Sequence, residues 1–208
     1  SYKAKTKRPL THEAQRTLLE ICMASRDWVS ATMILMLQGG CMPSEIARLR
    51  PNKDLQLFGN QPYVIISGGD AGQTKQEARK RLVPVVFGAD LLRERLPEAI
   101  RRLSEAKEPS ATISKRLKTK IGEQYSSHCL RHTFRANGSS ASINPMHLQA
   151  IGGWTGAGIN KVMLDYGTEG LEHSEMLATL TGASRQIHRH LLAHLDHQPE
   201  SNVIPITR

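Results

Sequence analysis

The sequence predicts an α+β fold, mainly helical, with a small antiparallel three-stranded sheet. Three observations predict it. Apolar residues recur at helical spacing before Asp54 and again after Phe87. Between those two residues the pattern changes to short β-rich runs broken by glycine turns. Hydrophobic residues make up 39% of the 208, enough for one substantial core.

Residues 1–10 are basic, with no apolar signal core behind them, and read as a linker or basic arm. Thr11 caps a first helix carrying Leu18, Leu19, Ile21, Cys22 and Met23. Asp27 caps a second, with Val29, Met33, Ile34 and Leu37 on its buried face. Gly39-Gly40 breaks it. Pro43 suits the first turn of the next helix, and Glu45 stands early in it, where a negative charge favours the dipole. Cys41 and Met42 therefore sit at a helix mouth.

Leu55–Phe58, Tyr63–Ile66 and Arg81–Val86 are the strand candidates, and Pro84 makes the third an edge strand. Lys75 stands near the end of the glycine-rich hairpin loop between the last two, with Lys80 and Arg81 as competing basic residues. Ala89–Ala106 is an amphipathic helix. Ser110 caps the next, where Lys115, Arg116, Lys118 and Lys120 form either a solvated face or a contact patch for a nucleic-acid backbone.

Ser127–Arg135 concentrates cationic chemistry. His128 and Arg131 are three apart, and Arg131 and Arg135 four apart, so each pair shares a helix face. A guanidinium fork beside an imidazole can hold a phosphate; a solvated basic helix is the plain alternative. Asn144-Pro145 starts another helix, which Gly152-Gly153 ends. Trp154 follows, either as a core anchor or against a ligand that the glycines admit. Ile159, Val162, Met163 and Tyr166 share a helical face that Gly167 closes. Residues 171–208 read as a C-terminal helical tail with two helical patterns separated by Thr181-Gly182-Ala183. His190, His194 and His197 have helical spacing, but no carboxylate or cysteine completes a metal set, and none is expected.

The formal net charge of +9 favours an anionic partner, nucleic acid first. Three scattered cysteines read as reduced thiols in a cytoplasmic protein. The best apolar run, Val29–Leu37, is too short to span a membrane.

From Arg8 to Gly167 the chain resembles the tyrosine recombinases, the family of phage integrases and related strand-exchange enzymes. Gly40-Cys41-Met42-Pro43-Ser44-Glu45 is similar to the family's G-x-R-x-S-E helix start. Thr74-Lys75 followed by Arg81-Leu82-Val83-Pro84 is similar to its lysine hairpin. His128-Cys129-Leu130-Arg131 is similar to its H-x-x-R motif, Gly153-Trp154 to its Gly-His/Trp, and Tyr166 stands at the nucleophile position. The departure is Met42, which occupies the place of the family's first arginine.

The resemblance implies a DNA breaking-rejoining fold over residues 11–170, with the tail packing against a neighbouring subunit in a tetrameric synapse on double-stranded DNA. It implies site-specific recombination or integration in the bacterial cytoplasm, with no cofactor and no membrane. Tyr166 would attack a phosphodiester to give a 3′-phosphotyrosine, with Tyr125 the next candidate. His128 would take or position the phenol proton, Lys75 would protonate the 5′-oxygen, Arg131 would clamp the phosphoryl oxygens, and Trp154 would bond or pack beside them. Lys115, Arg116, Lys118, Lys120 and Arg135 would contact DNA. Met42 predicts weakened cleavage. The rival readings are a catalytically impaired DNA-binding relative, a DNA-relaxing topoisomerase, and a metal-binding or interaction module on the histidine-rich tail.

Overall fold

Thr11 starts the first helix as its position predicts. Its Oγ1 accepts the Ala14 N–H at 3.1 Å, and α1 runs His12–Ser25. The computed structural model describes residues 8–66, 81–154 and 171–197, with side chains of the last stretch from Ser174. Replacing the cap, as in Thr11→Ala, should cost about 1 kcal/mol of stability in urea unfolding. An unchanged midpoint would mean that the α1 start is held by packing alone.

Asp27 caps α2 (Trp28–Gly39) through the Ser30 N–H at 2.7 Å. The sequence predicts one buried face here, but every residue from Val29 to Gly39 is buried. A helix apolar all round belongs inside a domain, and α2 is the central helix, packed against α1 and against helices from the second half of the chain. Gly40 ends it with φ of 62°. Short helices α3 (Pro43–Ile46) and α4 (Pro51–Asp54) follow.

The sheet is antiparallel, in the order β1-β2-β3: Leu55–Gln56, Tyr63–Ile66 and Arg81–Pro84. β1 is shorter than its β-rich run, because Phe58 leaves the core and lies exposed under the Arg93 guanidinium at 4.9 Å. β3 pairs only with β2 among the described residues, with Val83 opposite Val64 and Arg81 opposite Ile66. It is an edge strand, as Pro84 requires.

Helix α5 (Ala89–Glu105) buries Leu91, Leu92, Leu96, Ile100 and Leu103 against α2. Helix α6 (Pro109–Ile121) starts before Ser110, with Glu108 at the cap position. Pro109 takes the first turn, where its missing N–H costs nothing. Then come α7 (Ser127–Ser140) and α8 (Pro145–Gly152), the latter capped by Asn144 through the Met146 N–H at 2.9 Å.

The expected break at Gly182 is absent. Helix α9 (Leu171–Ile187) runs through it, and the chain turns instead at His188 into α10 (Arg189–Asp196). A mid-helix glycine costs about 1 kcal/mol against alanine, and burial of Leu180, Ala183 and Ile187 with Phe134, Leu148 and Ile151 offsets it. Within the chain α9 packs against β3, α7 and α8, and α10 against α1, with Leu191 fully buried. Among the described residues no helix is long and apolar enough to cross a membrane.

Candidate functional site

Helix α7 carries the H-x-x-R residues, and its packing fixes their direction. Cys129, Leu130, Thr133 and Phe134 are buried, and Thr133 Oγ1 accepts the Leu10 N–H at 2.8 Å. With that face held, Arg131 and His128 are half-buried and Arg135 is exposed. The Arg131 guanidinium donates through Nη1 to the Gly40 carbonyl and lies 5.0 Å above the Trp154 ring. Arg135 approaches the same ring at 5.8 Å. Trp154 in turn stacks on Phe134, with ring centroids 5.8 Å apart.

Two glycines make this convergence possible. A Cβ on Gly40 would stand 2.9 Å from the Phe134 ring, and its positive φ already disfavours any side chain. A Cβ on Gly152 would stand 2.2 Å from the Trp154 ring. Gly152 thus admits the Trp154 indole, and Gly153 the Arg81 side chain.

Met42 lies two residues beyond Gly40, at the cap of α3. Its N–H donates to Glu45 Oε2 at 2.8 Å. Glu45 also receives a two-pronged bond from Arg81, Nη1 to Oε1 at 2.9 Å and Nη2 to Oε2 at 3.0 Å. Arg81 is only 5% exposed, and its Nε donates to the Ile151 carbonyl at 2.9 Å. Burial pushes the Glu45 carboxyl up, but the Arg81 fork and charge, the Met42 N–H and the Arg131 charge outweigh it, so the carboxyl stays below its usual range. Burial pushes the Cys41 thiol up to about 11 despite the Arg81 and Arg131 charges, which makes it an inert neighbour.

Read from the sequence, Glu45 has only a helix-dipole role and Arg81 only a place among loop cations. A signal for Arg81 was present. In a strand, alternate residues share a face, so an inward Val83 puts Arg81 inward too, and a cation there requires a carboxylate partner.

Lys75 and Tyr166 lie outside the described residues. In the sequence Arg81 follows the first of those stretches and Trp154 precedes the second, and a Cβ on Gly153 would fall 2.7 Å from Arg81 Nη1. Tyr125, the alternative nucleophile, is 9% exposed and part of the core.

Of the five cations expected on DNA, Arg135 is the one that the described contacts bring to Trp154. Those on α6 belong to another neighbourhood. Burial raises the Asp27 carboxyl, but the Ser30 bonds and the Lys120 and Arg116 charges hold it below its usual range. Lys118 pairs with Glu123 at 3.5 Å. Lys115 and Arg116 are exposed. A hydrogen bond between Ser114 and Ser127 hydroxyls, 3.0 Å, ties α6 to the start of α7.

The tail histidines are engaged separately. His190 stacks on His12 at 4.3 Å and lies 2.8 Å from Gln15 Oε1, while His194 meets Glu20 at 2.7 Å. Among the described residues no group of three or more His, Cys, Asp or Glu could hold a metal ion.

Comparison with protein-family models, curated proteins and solved structures finds no match to this chain.

Proposed function

We propose that this chain is a tyrosine recombinase catalytic domain, with a breaking-rejoining fold, that binds double-stranded DNA and cleaves it weakly through a 3′-phosphotyrosine. One observation carries the reading. Arg131 joins the turn bearing Met42, through the Gly40 carbonyl 91 residues before it, to Trp154, so two separate motifs meet at one guanidinium. Motifs scattered through a sequence would converge in this way if they served one phosphate.

The reaction needs no external energy, because a phosphotyrosine keeps the phosphodiester bond for rejoining. Tyr166 forms the new P–O bond as the 5′-oxygen leaves. The phenol proton passes to a base, for which His128 is the candidate, and Lys75 supplies a proton to the leaving oxygen. Arg131 holds the non-bridging oxygens as charge builds on them. Assembly on DNA as a tetrameric synapse belongs to the same reading.

A nicked suicide duplex tests it, since loss of the short fragment that leaves with the 5′-hydroxyl removes the nucleophile for rejoining and traps the covalent complex. The expected result is a denaturant-stable adduct whose crosslinked peptide contains Tyr166. No adduct with this chain or with Met42→Arg would end the reading. A second reading, DNA binding without cleavage, is favoured by Met42 itself, and the same assay separates the two.

Binding should be salt-dependent. If exposed Lys115 and Arg135 each neutralise a phosphate, each change to Ala should reduce the slope of log K against log salt by about 0.9. Titrations at several salt concentrations measure it, and an unchanged slope removes that residue from the interface.

A further inference from the structure

We propose that Arg81 is a positioning residue that locks the two halves of the site, the Met42 turn and Trp154, into one register. This rests on the phosphate-site reading above for its consequence in catalysis, but its geometric content stands separately.

The first half of the site is Gly40–Glu45, from the end of α2 into α3. The second is Ile151–Trp154, at the end of α8. The whole sheet and three long helices lie between them along the chain. Arg81 bonds both: its two Nη atoms hold the Glu45 carboxylate, and its Nε holds the Ile151 carbonyl three residues before Trp154. The same carboxylate oxygen that meets Nη2 also accepts the Met42 N–H, so one oxygen fixes the guanidinium and the α3 cap together. Gly153, with φ of 66°, lets the guanidinium lie flat against the backbone, where a Cβ would be 2.7–2.9 Å from Nη1, Cδ and Cζ. A planar fork is required. An ammonium offers its donors from a single nitrogen, and it could not reproduce the parallel pair of bonds to Glu45 together with the Nε bond to the Ile151 carbonyl.

Burial and pairing also fix what Arg81 cannot do. It is not the substitute for the family's first arginine, because both faces of its fork are committed inside the protein. Its action on the phosphate is indirect, through where it puts Trp154, and through Trp154 the stacked Arg131.

The chain has two tryptophans, Trp28 and Trp154. In a Trp28→Phe background, fluorescence therefore reports Trp154 alone. Arg81→Lys, folded by far-UV circular dichroism, is expected to raise acrylamide quenching of Trp154 about twofold. Glu45→Gln, which keeps an acceptor for the Met42 N–H but loses the charge, should raise it less. Val83→Ala is the control: it weakens the same strand at a fully buried position without removing the fork, and should lower the melting temperature with quenching unchanged.

Quenching unaltered in a folded Arg81→Lys overturns the proposal. If that variant does not fold, unaltered quenching in Glu45→Gln overturns it. Quenching raised equally by Val83→Ala also overturns it, since the effect would then be general loosening. In the Met42→Arg background, Arg81→Lys is further expected to slow adduct formation at least tenfold with DNA affinity unchanged. If no variant forms adduct, the recombinase reading fails while the fluorescence result still judges Arg81.

Discussion

Met42→Arg is expected to raise the rate of covalent adduct formation on a nicked suicide duplex by about 10²–10³. The reason is the donor inventory of the site. In the proposed reaction charge would develop on the non-bridging oxygens as the phenol attacks, and preorganised N–H donors would stabilise it. A thioether donates nothing and carries no charge. The arginines near Met42 that could take over are held elsewhere. Arg81 is buried in its bond to Glu45. Arg50 holds Asp54 through Nε and Nη2, each at 3.1 Å. Arg48 is exposed on the stretch after α3 and starts from a different place.

The geometry also indicates that an arginine at this position would be accommodated. Met42 is half-buried at a helix cap, and its N–H bond to Glu45 belongs to the backbone and survives any side-chain change. The added charge would meet the Glu45 carboxylate, already held ionised by Arg81 and Arg131. Stability should therefore change little while the rate rises. The measurement is the single-turnover rate of adduct formation for both chains at saturating DNA, so that tighter binding alone does not register. Tyr166→Phe added to Met42→Arg should remove the adduct entirely. Equal rates for the wild type and Met42→Arg would show that the first clamp is supplied from somewhere else.

Much of this arrangement was legible in the sequence where a local rule decides it. Thr11, Asp27 and Asn144 cap helices because a short polar side chain reaches the free N–H groups two or three residues on, and that is independent of the rest of the fold. Pro84 marks an edge strand for a similar reason. The failures are where distant packing decides. Gly182 looks like a helix stop, but Phe134, Leu148 and Ile151 supply an apolar floor that carries α9 across it. Helix α2 reads as one-sided because the sequence does not say how many partners will cover it. Gly152 and Gly153 were readable as a place of close approach, but not that the approaching groups are Trp154 and Arg81. The H-x-x-R spacing located Arg131, whereas the Glu45–Arg81 pair needed a strand face and a helix mouth to be brought together from 36 residues apart.

Acidification from pH 6.5 to 4 should cost the fold about 3 kcal/mol through His188 alone. The imidazole is fully buried, edge-on to Phe87 at 5.5 Å and tilted against Phe134 at 5.9 Å. Nε2 lies 3.1 Å from the Gln38 carbonyl, so that nitrogen carries the proton in the neutral ring, and Nδ1 has no hydrogen-bond partner among the described residues. A second proton on Nδ1 would put an unsolvated charge in the Phe134 cluster that also supports Trp154. Burial first, and then the charge of His190, push the His188 pKa down to about 4, against the Gln38 carbonyl, which favours the charged ring. In the unfolded chain a histidine titrates near 6.5. Between those values the unfolded state binds a proton that the folded state refuses, so stability falls with falling pH by about 1.4 kcal/mol per unit. Above pH 6.5 the contribution is complete, and below 4 both states are protonated and this group removes no more. His190, also pushed down to about 4 by burial and by the His12 and Arg16 charges, acts in the same direction but more weakly, since it is partly open to solvent. Urea unfolding of the wild type and of His188→Gln at pH 7 and pH 4.5 isolates the effect. The variant keeps a neutral donor for Gln38, and losses from carboxylates such as Glu45 are common to both chains. The wild type should lose about 2–3 kcal/mol more than the variant over this interval. Equal losses would mean that the buried ring takes up its proton without leaving the folded state.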